Sequence, residues 1–242
     1  MNRALYAAAT GMAAQQQNLD VIANNLANAD VIGFKGATAA FTELAAPGQI
    51  GLGTAQVGTH AIFAQGKLMK SGGPFDLAID GNGFFAVVDA HGRKAYTRDG
   101  EFSRAPDGSL RNAQGWRLEG VHVPDDALSA DVAPDGRVSV KTSRGTHAAG
   151  RVRLAEFAAP ERLAPLGATL FAQTRDSGRA RFERAGSPDG PTIKFGMLEQ
   201  SNVSIVEAMM EILAAQRAYE ANAKGVQAAD EMLRIADNLQ RS

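Results

Sequence analysis

The chain has no cysteine. That excludes disulfides, thiol nucleophiles and cysteine-bound metal, although no compartment follows, because a secreted protein can also lack the residue. It has no run of 18 apolar residues, so no helical segment is apolar enough to cross a membrane. Neither sign of charge is in excess. Lys and Arg number 25 against 26 Asp and Glu, and a net charge near −1 provides no field for nucleic acid or an anionic membrane surface. Proline is missing from residues 1–46 and 192–242, all nine lying between Pro47 and Pro191. Proline breaks helix interiors, so the two ends are where long helices are permitted. Charge is nearly missing from Met1 to Asn28, where Arg3 and Asp20 are the only ionised side chains. The stretch Ala4–Ala14 after Arg3 has the outline of a short secretory signal. It is mostly alanine, however, it is broken by Thr10 and Gly11, and its pattern runs on past any cleavage point, so it is expected to remain on the protein.

Both proline-free ends carry a seven-residue period. Leu5, Met12, Leu19 and Leu26 recur every seven residues, with Ala8 and Ile22 filling the stripe between them. Ile205, Ile212, Tyr219, Val226 and Leu233 do the same at the other end, and Ala208, Ala215, Ala229 and Ala236 follow four of them by three residues. These are seams of coiled-coil type. At 1.5 Å per residue, the first helix spans roughly 40 Å and the last roughly 50 Å. The middle is rich in glycine and in Asp-Gly pairs, at 80–81, 99–100, 107–108, 135–136 and 189–190. Between the pairs run short β-rich segments such as "FFAVV", "RVSVK" and "RVRLAEF". Asp-Gly suits tight turns because glycine, and to a lesser degree Asp, tolerates positive φ. The expected fold class is α+β. Residues 1–35 with 200–242 form a helical assembly domain, its two helices a coiled-coil pair. Residues 36–74 are an extended connector with one or two strands, and residues 75–199 an inserted all-β domain.

The first helix should present Gln15, Gln16, Gln17, Asn18, Asn24 and Asn25 where a solitary surface helix would present charge. Burying an amide against a partner costs far less than burying a charge. The functional reading is self-assembly, each helix being covered by helices of other copies. The alternative is a plain helical hairpin with a solvated amide face. In "ANNLANADVIGFK", Asn28, Asp30 and Gly33 tolerate left-handed conformations and should stop the helix, Phe34 should turn back to pack, and Lys35 should leave into the connector.

Signals for chemistry are weak. "GNGFFA" at Gly81–Ala86 matches part of a dinucleotide fingerprint, but strand signals follow it where a phosphate-binding helix is needed. The same stretch is no calcium loop, because Phe84 stands where an oxygen ligand is required. His60, His91, His122 and His147 are scattered, with no HExxH pairing. No serine sits in a G-x-S-x-G elbow. The arginine-rich "RDSGRARFER" at Arg175–Arg184 is interrupted by acids and reads as a solvated hairpin rather than a nucleic-acid site. No catalytic, cofactor or metal residue is assigned. An enzyme or binding module with a site on the β domain stays open as the rival class.

"LYAAATGMAAQQQNLDVIANNLANADVIGFK", "FDLAIDGNGFFAV" with "AYTRDGEF", and "LEQSNVSIVEAMMEILAAQRAYEANAKGVQAADEML" together resemble the flagellar axial family of basal-body rod and hook proteins. The terminal stretches look most like the distal-rod branch. The short connector after Phe41 leaves the proximal-rod branch open, and the chain is too short for the extra domain of a hook protein. The resemblance implies a structural subunit with no cofactor, exported without a cleaved signal to the periplasmic rod. It implies self-polymerisation into a hollow torque-transmitting tube, with other rod and hook proteins and surrounding ring proteins as partners. On this reading Leu5, Met12, Leu19, Ile22, Asn24, Asn25, Leu26, Ile205, Ile212, Tyr219, Val226 and Leu233 serve assembly.

Overall fold

The computed structural model describes residues 3–44, 53–187 and 190–241, without the side chains of residues 3, 4, 233 and 236–241. Pro47 and Asp189 therefore lie outside the described residues. The fold is α+β, with one long helix at each end and a β-rich middle. The chain divides into two units. Residues 1–29, 36–62 and 203–242 form a helical unit, and residues 30–35 and 63–202 a β unit.

The helical unit contains α1 (Arg3–Ala27), β1 (Ala37–Glu43), β2 (Thr54–Ala61) and α2 (Ile205–Arg241). Alanine and straight-chain residues dominate both helices, and these lose little on entering a helix. α1 and α2 pack along one another. The closest burial on α2 falls on the alanine row, Ala208, Ala215 and Ala229, and on α1 it falls on Ala14 and Ile22. Small side chains let the backbones approach, and this moves the seam away from its larger residues. At the position where the next alanine would stand, α2 has Asn222, and α1 answers with Gly11. A Cβ on Gly11 would lie 3.0 Å from the Asn222 Nδ2, so the amide fits beside a residue with no side chain.

α1 ends differently from the expectation. Asn28 and Asp30 do not adopt positive φ. Instead the Asn28 Nδ2 donates to the Asn24 carbonyl at 2.8 Å and its backbone N–H bonds within the last turn. An amide cap satisfies a terminal carbonyl without a left-handed residue. Gly33 alone carries the reversal, at φ +67°, and a Cβ there would meet the Asp99 backbone nitrogen at 2.4 Å. β1 and β2 pair antiparallel from Ala37↔Ala61 to Glu43↔Thr54, with a bulge at Ala40/Phe41. They occupy much of the segment read from sequence as an extended connector.

The β unit begins with β3 (Leu68–Lys70), β4 (Leu77–Asp80), β5 (Phe84–Val88) and β6 (Lys94–Thr97). Short strands β7 (Ser103–Arg104), β8 (Leu110–Arg111) and β9 (Arg117–Leu118) follow, then a meander of β10 (Ala127–Val132), β11 (Arg137–Thr142) and β12 (Gly145–Arg151). The remainder is β13 (Leu154–Glu156), β14 (Ala164–Gly167), β15 (Leu170–Ala172), β16 (Arg181–Glu183), β17 (Thr192–Phe195) and β18 (Met197–Glu199). The largest sheet runs β14-β15-β6-β5-β9-β8-β7, with β13 bridging β5 and β16. A separate sheet has the order β10-β11-β12, while β17 pairs β4 and β18 pairs β3. Strand alternation explains the two interiors. Phe85 and Val87 enter a core with Leu77, Ile79, Leu118 and Val140. Phe84, on the opposite face, joins Phe63, Phe157 and Phe171 in edge-to-face contacts 5.0–6.4 Å between centroids. Gly81–Gly83 lead into β5, so the dinucleotide-like stretch opens a strand and has no helix to bind phosphate.

Candidate assembly surfaces

On the helical unit the informative feature is apolar side chain left uncovered. Val206, Met210 and Leu213 stand at i, i+4 and i+7 on α2 and are 68%, 59% and 55% exposed, with Ile205 and Met209 beside them. A helix of one chain ordinarily turns such a stripe inward. Covering these half-exposed side chains would contribute about 1–2 kcal/mol each. This stripe is not the one that faces α1, which is the alanine row.

The structure separates the residues read from sequence as assembly positions. Ile22 is buried inside the unit, and Leu5, Met12, Leu19, Leu26, Ile212 and Val226 are half-buried. Ile205, Tyr219 and Asn24 are exposed. Leu233 has a side chain outside the described residues. Asn25 has an internal partner: its Nδ2 donates to the Ala37 carbonyl at 2.7 Å, and the Ala37 N–H donates to its Oδ1 at 2.8 Å. The side-chain amide thus copies a strand partner and holds the start of β1 against the end of α1.

In the β unit the structure gathers a charged cluster that sequence reasoning missed. Lys35 does not leave into a connector but is buried, its Nζ donating to the Glu199 Oε1 at 2.6 Å and to the Ala64 carbonyl at 2.8 Å. The Glu199 Oε1 also accepts the Gly66 N–H at 2.8 Å, and its Oε2 accepts from the Arg98 Nη1 at 3.1 Å. Arg98 donates in turn to the Gly81 carbonyl, and its guanidinium lies 5.5 Å from the Phe84 ring centroid. Burial lowers the pKa of Lys35 and of Arg98, and the Glu199 carboxylate opposes both shifts. Two cations share one carboxylate here, so the site depends on Glu199. The Gly33 N–H donates to the Glu199 carbonyl at 2.7 Å, so residues 30–35 are fixed to β18 by backbone as well as by charge. The one local hint is that Lys35 and Asp30 are the only ionised side chains between Val21 and Thr42.

Asp99 lies beside the Gly33 turn. Burial pushes its carboxyl up from 3.8 to about 6, the Glu101 N–H at 3.0 Å opposes this, and the charges of Glu101 and Asp76 reinforce it. Between those two values the folded state holds a proton that the unfolded state has released, so stability falls as pH rises through the window. The contribution is up to about 3 kcal/mol lost between pH 4 and 7. Asp99→Asn should remove it. The single tryptophan, Trp116, packs against the β core, so its fluorescence during urea unfolding reports on this unit. A difference between wild type and variant that does not change from pH 4 to pH 7 would refute the assignment.

Among the described residues no group of three His, Asp or Glu side chains converges as a metal site. Among the described residues no helix is long and apolar enough to cross a membrane.

Three family models match the chain. They are the flagella basal body rod protein over residues 5–35, the flagellar hook protein FlgE/F/G D1 domain over 78–140, and the flagellar basal body rod FlgEFG protein C-terminal over 195–239. The chain is 39% identical to the flagellar basal-body rod protein FlgG of Borreliella burgdorferi, over the whole of both chains. It is 33% identical to FlgG of Bacillus subtilis, again over both whole chains. It is 34% identical to the rod protein FlgF of Caulobacter vibrioides, over 98% of this chain and 97% of that one.

Proposed function

Because the chain belongs to the flagellar basal-body rod protein family, we propose that it is a structural subunit of the distal rod, of the FlgG type. It polymerises into a hollow helical tube that carries torque from motor to hook. The 39% identity to FlgG of Borreliella burgdorferi, against 34% to FlgF of Caulobacter vibrioides, favours the distal over the proximal position. The observation that carries the polymer is the apolar stripe Val206–Met210–Leu213, which its own chain leaves in water. α1 and α2 act as a coiled-coil pair that other copies surround, and the β unit is an insertion between the two halves of that pair. Such a contact is heterologous: one patch meets a different patch, and the rotation does not close. Copies of this chain, other rod and hook proteins and the surrounding rings are the partners. The subunit reaches the periplasm without a cleaved signal and performs no catalysis.

Concentrated full-length protein should form open filaments in negative stain, growing with concentration. Deleting residues 1–28 should leave a soluble chain whose Trp116 emission is native and which does not polymerise. A closed two-fold dimer as the largest species of the full-length chain would overturn the reading and return the binding-module alternative.

A further inference from the structure

The arginine-rich segment that the helical reading leaves unused forms one wall of a groove on the β unit. Arg151, Arg153, Phe182 and Arg184 line about 520 Å³ there. The groove continues past Glu119 and Gly120 to Arg117. Phe182 is exposed, with the Lys94 Nζ 5.5 Å from its ring centroid. Of the two carboxylates at the groove, Glu119 already pairs with Lys94 at 3.0 Å. Arg151 has a distant contact with Asp135, at 4.0 Å, and among the described residues Arg117 and Arg153 show no ion pair. The groove therefore holds a positive surplus around an exposed aromatic ring.

The matching negative surplus lies on the same sheet. In the order β10-β11-β12, β10 is one outer strand and β12 the other. The end of β12 is itself bonded to residues 120–122, the Arg151 N–H donating to the Gly120 carbonyl at 3.0 Å and the His122 N–H to the Ala149 carbonyl at 2.8 Å, so the groove lies over this covered end. Asp125 and Asp126 precede β10 and Asp131 lies within it, all three exposed. Asp125 pairs with Arg104, whereas Asp126 and Asp131 show no ion pair among the described residues. Leu128 projects between them and is 73% exposed. An apolar knob flanked by acids thus stands at one outer strand, and an apolar floor flanked by arginines at the covered end of the other. Patches on the two outer strands of one sheet cannot meet within a chain. They meet when a second copy is placed beside the first in the direction across the strands, and that contact is heterologous and open.

We propose that the arginine groove over the covered end of β12 receives the acidic β10 edge of a second copy of this chain, giving the polymer a contact between β units. The proposal rests on the rod reading but uses different residues. Charge reversal in full-length protein tests it by sedimentation velocity. Arg153→Glu and Asp126→Arg should each raise the concentration of half-assembly roughly tenfold, and the two together in one chain should restore it to within about threefold. Singles without effect, or a double no better than either single, would overturn the contact. If those variants assemble normally while deletion of residues 1–28 blocks assembly, the groove fails and the rod reading stands. The absence of cysteine allows a second test that needs no long polymer. Chains carrying Ser129→Cys, mixed with chains carrying Ala148→Cys and oxidised, should form a disulfide-linked pair that neither forms alone. No mixed pair under assembling conditions would also reject the proposal.

Discussion

Leu213→Asp should leave the subunit folded and prevent filaments. In the isolated chain the side chain is 55% exposed, so a carboxylate there faces water and changes stability by less than about 0.5 kcal/mol. In a polymer that covers the Val206–Met210–Leu213 stripe, the same carboxylate is buried without a partner. Breaking charge balance in a buried setting costs about 3–5 kcal/mol. Each 1.4 kcal/mol is a factor of ten, so the assembly concentration should rise by roughly a hundredfold or more. Ala208→Asp is the contrasting variant, because Ala208 is buried between α1 and α2 of one chain. It should unfold the helix pair itself and lower the helical circular dichroism, which Leu213→Asp should not. Tyr219→Asp belongs with Leu213→Asp, since Tyr219 is also exposed in the monomer. Filaments from Leu213→Asp at the wild-type concentration would show that the stripe is not an assembly face.

The other large effect is expected at Glu199. Glu199→Gln preserves the volume but leaves Lys35 and Arg98 buried as neighbouring cations, with one carboxylate removed from between them. The expected cost is about 3–5 kcal/mol, read from urea unfolding followed by Trp116 fluorescence. Lys35→Met in the same chain should recover part of that loss, because one of the stranded charges disappears with it. The pH dependence gives an independent check. Burial already lowers the Lys35 pKa from 10.5, and the loss of Glu199 removes the main opposing influence. In Glu199→Gln the unfolded lysine then holds its proton to a higher pH than the folded one does. Stability of the variant should therefore rise with pH below 10.5, as Lys35 becomes neutral in the fold. A Glu199→Gln protein that unfolds at the wild-type urea concentration would mean that the cluster contributes nothing to the β unit.

Both predictions rest on positions whose roles differ in how far the sequence alone disclosed them. The long terminal helices follow from proline-free ends and a seven-residue period, and the turns at Asp107-Gly108 and Asp135-Gly136 follow from residues that accept tight backbone geometry. These are local properties, because helix pitch and allowed φ act within a few residues. The family was legible for the same reason, its motifs being contiguous at the two ends. The period of the helices was legible, but not which face of each lies deepest where they pack. Whether Ile212 or Ala215 lies deeper depends on how closely α1 approaches, which two separate repeats do not specify. Asn25 was legible as an amide on the helix, but not its bonds to Ala37, which form when the chain doubles back into β1. The cluster at Glu199 was legible only as a lysine isolated in a nearly uncharged stretch. Lys35 stands 164 residues from Glu199, and Arg98 stands 101 from it. An uncharged stretch around a lysine does not name the distant groups that topology brings to it. Periodicity and turn chemistry determined the elements, whereas the tertiary structure decided which charges are buried together and which apolar stripe is left for another copy. The reason is that burial depends on what the rest of the chain brings to a site, and that information has no local period.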